Sequence, residues 1–242
     1  MTTVLSATGV TRTFRGGAGI HDVTIEVRPG TIHALVGLNG AGKTTLMKVL
    51  LGMLRPTAGQ VVLDGIRLRK LPAAAWAGVG HVIEHPLAYG DLTARDNLLL
   101  AARLHGLSPA IAADVVDAAV DTFTLGAYAT VRVRRLSAGN RQRVGLAAAL
   151  QHHPRIVVLD EPTSTLDPAG VLLLRDALRA RRAAGTAILV SSHHLDEVAR
   201  IADRITVLNA GRIIGTLDPA GTDLEQSFFD RILADDQERG RA

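Results

Sequence analysis

Apolar and polar positions alternate over residues 20–27, and an Arg28-Pro29-Gly30 turn follows. That alternation predicts a strand with one buried face. Residues 31–36 are mainly apolar, the pattern of a strand covered on both sides. Residues 44–51 change to helical spacing, and residues 60–68 and 79–83 return to strand. Residues 93–104 and 111–123 predict two helices separated by Gly106-Leu107-Ser108-Pro109, with Ser108 as N-cap and Pro109 as first helical residue. Beyond residue 150, strands at 156–159, 187–190, 205–208 and 212–217 alternate with helices at 168–182 and 195–201. The charged end, residues 235–242, reads as a frayed tail.

Strand–helix alternation predicts an α/β fold whose mainly parallel sheet is covered on both faces. The purely helical stretch, at about 85–150, reads as an inserted lobe. A chain of 242 residues suits one large domain of this kind, and 47% apolar residues supply its core. Only 3% are aromatic, so aliphatic side chains must fill it. Trp76 reads as packing, and His152, His153 and residues 132–135 as solvated faces. The absence of cysteine excludes disulfides and thiolate metal sites. Residues 1–6 show no basic segment leading into an apolar core, so no secretory signal is expected there. No apolar run approaches the roughly 18 residues of a membrane-spanning helix, so any membrane role comes through a partner. The net charge of +4 comes almost entirely from dispersed arginines with no interleaved aromatic residues. A nucleic-acid partner is therefore not expected.

The first chemical signal is Gly37-Leu38-Asn39-Gly40-Ala41-Gly42-Lys43-Thr44, followed by Thr45. It fits the phosphate-loop pattern and lies between a strand and a helix. Glycines let the backbone wrap an anion, and the N–H groups of the loop and helix start face it. Lys43 is placed to reach the β- and γ-phosphates, and the Thr44 hydroxyl to ligate Mg²⁺.

Ligands of open α/β sheets bind beyond the carboxyl ends of strands. Two further strands end in suitable groups. The strand at 156–159 runs into Asp160-Glu161-Pro162, and the strand at 187–190 into Ser191-Ser192-His193-His194. Asp160 suits the Mg²⁺ shell. Strand alternation would turn Glu161 the other way, to orient an attacking water, and phosphoryl transfer needs mostly such positioning. His193 can donate to the γ-phosphate. A metal site shared by His193 and His194 is rejected here, because adjacent strand residues point apart.

With these motifs in this order, the chain resembles the nucleotide-binding subunits of ABC transporters over nearly its whole length. Leu136-Ser137-Ala138-Gly139-Asn140-Arg141-Gln142-Arg143 is similar to that family's signature, with Ala138 and Asn140 in place of Gly and Gln. Ser164-Thr165-Leu166-Asp167 resembles the D-loop, His193 the switch histidine, and Phe14 the aromatic residue that stacks on adenine. The resemblance implies an ABC ATPase of the P-loop NTPase class. Its parts would be an ATP-binding core (1–84 and 151–220), an N-terminal antiparallel β subdomain, a helical subdomain at about 85–150, and a C-terminal helix and tail (221–242). The implied nucleotide contacts are Phe14, Asn39, Gly40, Ala41, Gly42, Lys43, Thr44 and Thr45, with Ser137, Gly139 and Asp167 acting across a dimer. Glu161, His193 and Lys43 are the implied catalytic groups. Thr44, Asp160 and Glu84 are the implied metal ligands, and ATP and Mg²⁺ the cofactors. Ser137-Ala138-Gly139 also reads as a plain helix N-cap, and both readings can hold together.

Most of that family carries Gln where this chain has Glu84. Glu84, with Tyr89-Gly90-Asp91-Leu92-Thr93-Ala94-Arg95-Asp96-Asn97-Leu98, is similar to bacitracin-type and lantibiotic-immunity exporters. A carboxylate about 4 Å from a phosphate charge costs on the order of 4 kcal/mol at an effective dielectric near 20. Glu84 must therefore touch the metal, take a proton, or stay away as a solvated strand-end residue. The implied partners are a polytopic membrane permease and a second ATP-binding subunit, a homodimer. The chain would then sit on the cytoplasmic face of the membrane. A soluble ABC ATPase, of the cluster-assembly kind, is the alternative, and a non-catalytic nucleotide sensor could dispense with Glu161 and His193.

Overall fold

The computed structural model describes residues 4–86 and 88–241. The chain divides into two compact units, Met1–Leu71 with Ala187–Ala242, and Pro72–Thr186.

In the first unit, β1 (Leu5–Thr13) pairs antiparallel with β2 (Gly19–Val27) and β4 (Ala58–Leu63), and β4 pairs with β5 (Ile66–Arg67). Leu5, Ala7 and Val10 of β1 are buried. The step from Ala7 to Val10 breaks strict alternation, and the β1–β2 register shifts there, at Gly9 with φ 58. The strand expected over residues 60–68 is instead a hairpin. Asp64 (φ 50) and Gly65 (φ 78) turn the chain, and Leu68–Lys70 form a 3₁₀ turn. An Asp-Gly pair is a strong hairpin signal.

A second layer of this unit has the strand order β10-β9-β3-β8. β3 (Ile32–Val36) runs parallel to both β8 (Ala187–Ser192) and β9 (Arg204–Asn209), while β10 (Arg212–Leu217) is antiparallel to β9. All five residues of β3 are buried, as a strand covered on both faces requires. Helix α1 (Lys43–Leu50) buries Leu46, Met47, Val49 and Leu50, and α6 (Leu195–Ala199) follows β8. The tail expected to fray is helical: α7 runs over Leu224–Gly240. Asn209 Nδ2 donates to both Asp235 and Asp236 at 2.8 Å, and Arg239 pairs with the same two carboxylates. Charge therefore binds the tail to its own helix and to β9.

In the second unit, β6 (Val79–Val82) and β7 (Ile156–Leu159) are parallel neighbours. Its long helices are α2 (Ala94–Leu104), α3 (Pro109–Thr122), α4 (Ala138–Leu150) and α5 (Pro168–Ala183). Helix α2 starts after Thr93, which forms a capping box with Asp96. Ser108 caps α3 and Pro109 opens it, as expected. A Cβ on Gly80 would lie 1.9 Å from the Ala149 carbonyl, so β6 meets the end of α4 with no side chain between them. His152 does not lie on a solvated face. Its ring stacks on His105, centroids 3.5 Å apart, and burial pushes its pKa down to about 4. Val133, within 132–135, is buried too.

The buried polar residue of β3 is His33. Its Nδ1 lies 3.0 Å from the Glu26 carbonyl, which only accepts, so Nδ1 donates and Nε2 accepts from the Thr206 hydroxyl at 2.8 Å. The ring is thus neutral, and burial holds its pKa at about 4. An unfolded histidine titrates near 6.5, so acid protonates the unfolded chain first. The stabilisation from a neutral His33 is complete above pH 6.5 and is lost as pH falls towards 4. Urea unfolding at pH 7 and at about pH 4.5 measures this. The loss between the two should be about 2–3 kcal/mol smaller in His33→Gln than in the parent chain.

Candidate active site

The first unit carries the phosphate loop. β3 delivers Gly37, and a Cβ there would strike the Leu208 carbonyl at 2.3 Å, so the backbone is sealed from beneath. Gly40 (φ 82) and Gly42 (φ 106) take left-handed conformations, and around Gly40 the Cβ direction is open. The loop is pinned by Gly211 N–H to the Ala41 carbonyl, 2.8 Å, and Ala41 N–H to the Leu38 carbonyl, 3.1 Å. Gly42 is the N-cap of α1 and brings no capping side chain. Lys43 is 7% exposed, and its Nζ donates to the Gly37 carbonyl at 2.7 Å. Thr44 and Thr45 follow on the first turn of α1.

Strand register supplies the next element. β3 and β8 are parallel, with Val36 opposite Ser192. Gly37 and His193 therefore leave neighbouring strands at the same end. Ser192 Oγ accepts from His194 N–H at 2.9 Å, and this bond turns the chain out of β8. The two imidazoles do not point apart. Strand geometry stops at Ser192, and the rings of His193 and His194 lie 3.9 Å apart and tilted by 43°. Among the described residues no group of three or more His, Cys, Asp or Glu is arranged to hold a metal. Phe14 sits in the turn between β1 and β2, closed by Phe14 N–H to the Ala18 carbonyl at 2.7 Å. It is 40% exposed with the Arg12 guanidinium 5.1 Å from its ring centre, an aromatic face on the surface and not a core residue.

The second unit carries the carboxylates. Val82 pairs with Leu159, and Asp160 N–H donates to the Val82 carbonyl at 2.8 Å. Glu84 and Asp160-Glu161 thus leave adjacent parallel strands at one end. Asp160 is 6% exposed. Glu161 (φ 46) and Glu84 (φ 60) are both left-handed. The direction of Glu161 is therefore set by this turn, where strand alternation had been expected to set it.

Ser137 is the N-cap of α4, accepting from Asn140 N–H at 3.2 Å, and Gly139 lies in the first turn. A Cβ on Gly139 would approach the Thr165 carbonyl to 2.9 Å, so the segment after β7 packs against this glycine. Two residues that the sequence reading quoted within the signature-like stretch, without giving them a role, complete the connection. Gln142, buried, donates from Nε2 to the Pro162 carbonyl at 3.1 Å, and Arg143 pairs with Asp167. A polar residue at helical spacing among the apolar positions of α4 was the available signal for Gln142. Asp167 also caps α5, accepting from Gly170 N–H at 2.8 Å, and these bonds hold its carboxyl below the usual range.

A sealed glycine loop at a strand end, with a buried lysine and an adjacent hydroxyl, gives the first unit a phosphate-binding loop of the P-loop NTPase kind, and the second unit presents a buried strand-end carboxylate of its own. Oxygen donors of this kind suit Mg²⁺, which takes few protein ligands beside phosphate and water. The ABC transporter family matches residues 20–164. The ribose import ATP-binding protein RbsA 1 of Burkholderia thailandensis is 40% identical over 93% of this chain and 46% of its own length. The chain thus spans about half of that relative. The bacitracin transport ATP-binding protein BcrA of Bacillus licheniformis is 33% identical over 88% of this chain and 69% of its own. A solved structure described as the ATP binding subunit of an ABC transporter superposes with TM-score 0.86 at 28% identity, covering 96% of this chain and 99% of the other. The chain belongs to the ABC transporter family.

Two substitutions separate roles within the site. Glu161→Gln should bind ATP as the parent chain does and turn it over about 10²- to 10⁴-fold more slowly, the range for loss of a general base. Equilibrium nucleotide binding alongside steady-state phosphate release measures both. Phe14→Ala should weaken ATP binding by about 1–3 kcal/mol, the contribution of one stacked base. Because Phe14 is exposed, its unfolding midpoint should stay where it is.

Proposed function

We propose that this chain binds MgATP and hydrolyses it to drive a membrane permease, in an exporter of antibiotic, peptide or lipid-like compounds. Phe14 stacks on the adenine, and Asn39 to Thr45 wrap the phosphates, with Lys43 reaching the β- and γ-phosphates. Mg²⁺, when bound, neutralises charge on the phosphate oxygens. Thr44, Asp160 and Glu84 are the residues that would hold it. Glu161 orients and deprotonates the attacking water, and His193 donates to the γ-phosphate. Ser137, Gly139 and Asp167 serve the nucleotide of a second copy, in a homodimer.

The observation carrying this reading is the pair of left-handed carboxylates at the ends of β6 and β7. A non-glycine residue in that conformation costs roughly 1–2 kcal/mol, and carboxylates held there serve chemistry better than they serve folding. The export direction rests on Glu84 and the stretch after it, together with the similarity to BcrA. The higher identity to RbsA 1 favours import as the second reading. No helix among the described residues is long and apolar enough to cross a membrane, and the permease is proposed as a partner. The placement that follows is the cytoplasmic face, peripheral through that permease.

Affinity capture of the tagged chain from detergent-solubilised native membranes, followed by mass spectrometry, tests the proposal. A stoichiometric polytopic membrane protein is the expected result. Transport assays on vesicles containing that complex then give the direction. Recovery of the chain alone, or with soluble partners only, would overturn the transport reading in favour of a soluble ATPase.

A further inference from the structure

Phe14 stands just past the end of β1, in a turn that holds two left-handed glycines, Gly16 (φ 84) and Gly17 (φ 83), and such a turn by itself fixes no side-chain rotamer. Among the described residues no aromatic ring and no second cation packs on Phe14. What covers it is the Arg12 guanidinium, over the ring at 5.1 Å from its centre. Arg12 and Phe14 lie two residues apart along extended chain, so both side chains project to the same face.

Arg12 is itself held on both sides. A Cβ on Gly19 would lie 1.9 Å from the Arg12 carbonyl, so β2 meets its main chain with no side chain between them. On the other side Thr57 donates to the Thr11 carbonyl from its N–H at 2.7 Å and from its hydroxyl at 2.9 Å. The guanidinium reaches over that junction, where its Nη1 donates to the Arg55 carbonyl at 3.4 Å. Its Nε is buried with no hydrogen-bond partner, and among the described residues Arg12 forms no ion pair. A cation without a carboxylate, anchored beside an aromatic face, is attracted by the negative face of that ring.

We propose that Arg12 is a positioning residue for nucleotide binding: it holds one face of the Phe14 ring so that the base stacks on the other. This rests on the reading of Phe14 as the adenine platform. The ring has two faces, and the guanidinium takes one of them. A ring fixed beforehand loses little rotamer freedom when the base arrives. Stacking also takes water from the ring, and a cation–π contact strengthens as it is desolvated. Base and guanidinium therefore favour each other across the ring without touching.

Equilibrium binding of MgATP, and of magnesium tripolyphosphate, which lacks the base, to the full chain and its variants tests this. Arg12→Gln should bind MgATP about three- to tenfold more weakly, the loss of one partly exposed cation–π contact, and should bind tripolyphosphate as the parent chain does. Arg12→Lys, which keeps a cation at the ring, should recover most of the loss. In a Phe14→Ala background Arg12→Gln should weaken MgATP binding no further, because its contribution passes through the ring. Should Arg12→Gln not fold, Arg12→Met, which keeps the side-chain stem, takes its place. Equal weakening towards tripolyphosphate would overturn the inference, since Arg12 would then serve the phosphates directly. Additive losses in the double variant would overturn it too, as would parent-like MgATP binding by Arg12→Gln where Phe14→Ala binds weakly. Parent-like MgATP binding by Phe14→Ala itself would remove the adenine reading, and this inference with it.

Discussion

A loop that grips phosphate with main-chain N–H groups can keep no side chain between itself and the anion, and yet it must be held still. Much of the first unit follows from that double demand. The fully buried strand β3 is the rigid support. Gly37 lies where a Cβ would collide with the Leu208 carbonyl, so β9 seals the loop from one side. The β9–β10 turn then fastens Ala41 through Gly211, and Gly211 in turn accepts from His21 N–H at 2.8 Å, tying the loop to β2. Even the buried His33 serves this support, joining β3 to Glu26 at one ring nitrogen and to Thr206 of β9 at the other. Lys43 is the charged side chain of the loop, and the Gly37 and Leu38 carbonyls receive it.

The second unit meets a related demand by other means. The start of α4 and the segment after β7 are joined by a bare glycine, a buried amide and an arginine–carboxylate pair: Gly139 to Thr165, Gln142 to Pro162, Arg143 to Asp167. One is packing, one a neutral hydrogen bond and one ionic, so no single solvent condition removes all three. Asp167 is held twice, by Arg143 and by the N-terminus of α5. The elements that the resemblance assigns to a second copy's nucleotide are therefore ordered inside one chain before any partner arrives.

Those features that local chemistry dictates were legible in the sequence. The strand at 156–159 is where its four apolar residues and following acidic pair put it. Ser108 and Pro109 open α3 because a cap and a fixed φ leave little choice. Helix α2 begins one residue late for a similar reason, since Thr93 spends its side chain as the cap. The misreadings have long-range or backbone causes. Residues 235–240 looked too charged to be ordered, but their charges are matched across one helical turn and by Asn209 of β9. His193 and His194 were assigned strand alternation that ends at Ser192. His152 finds its stacking partner in His105, far away in sequence. Glu161 was expected to point by the rule of strands, and a left-handed turn decides it. Motif spacing picked out the residues proposed for the site, while their orientation depended on dihedral angles that spacing does not encode.

Glu84 and Glu161 occupy backbone that glycine would adopt without strain. A redesign guided by thermal robustness alone would exchange both for glycine and gain at each place. It would thereby erase two of the three carboxylates at the ends of β6 and β7, leaving a hardier protein with Asp160 alone to present there. With the roles proposed for Glu84 and Glu161, resistance to heat and usefulness pull in opposite directions at these two positions, and a thermostabilised derivative of this chain is to be built around them.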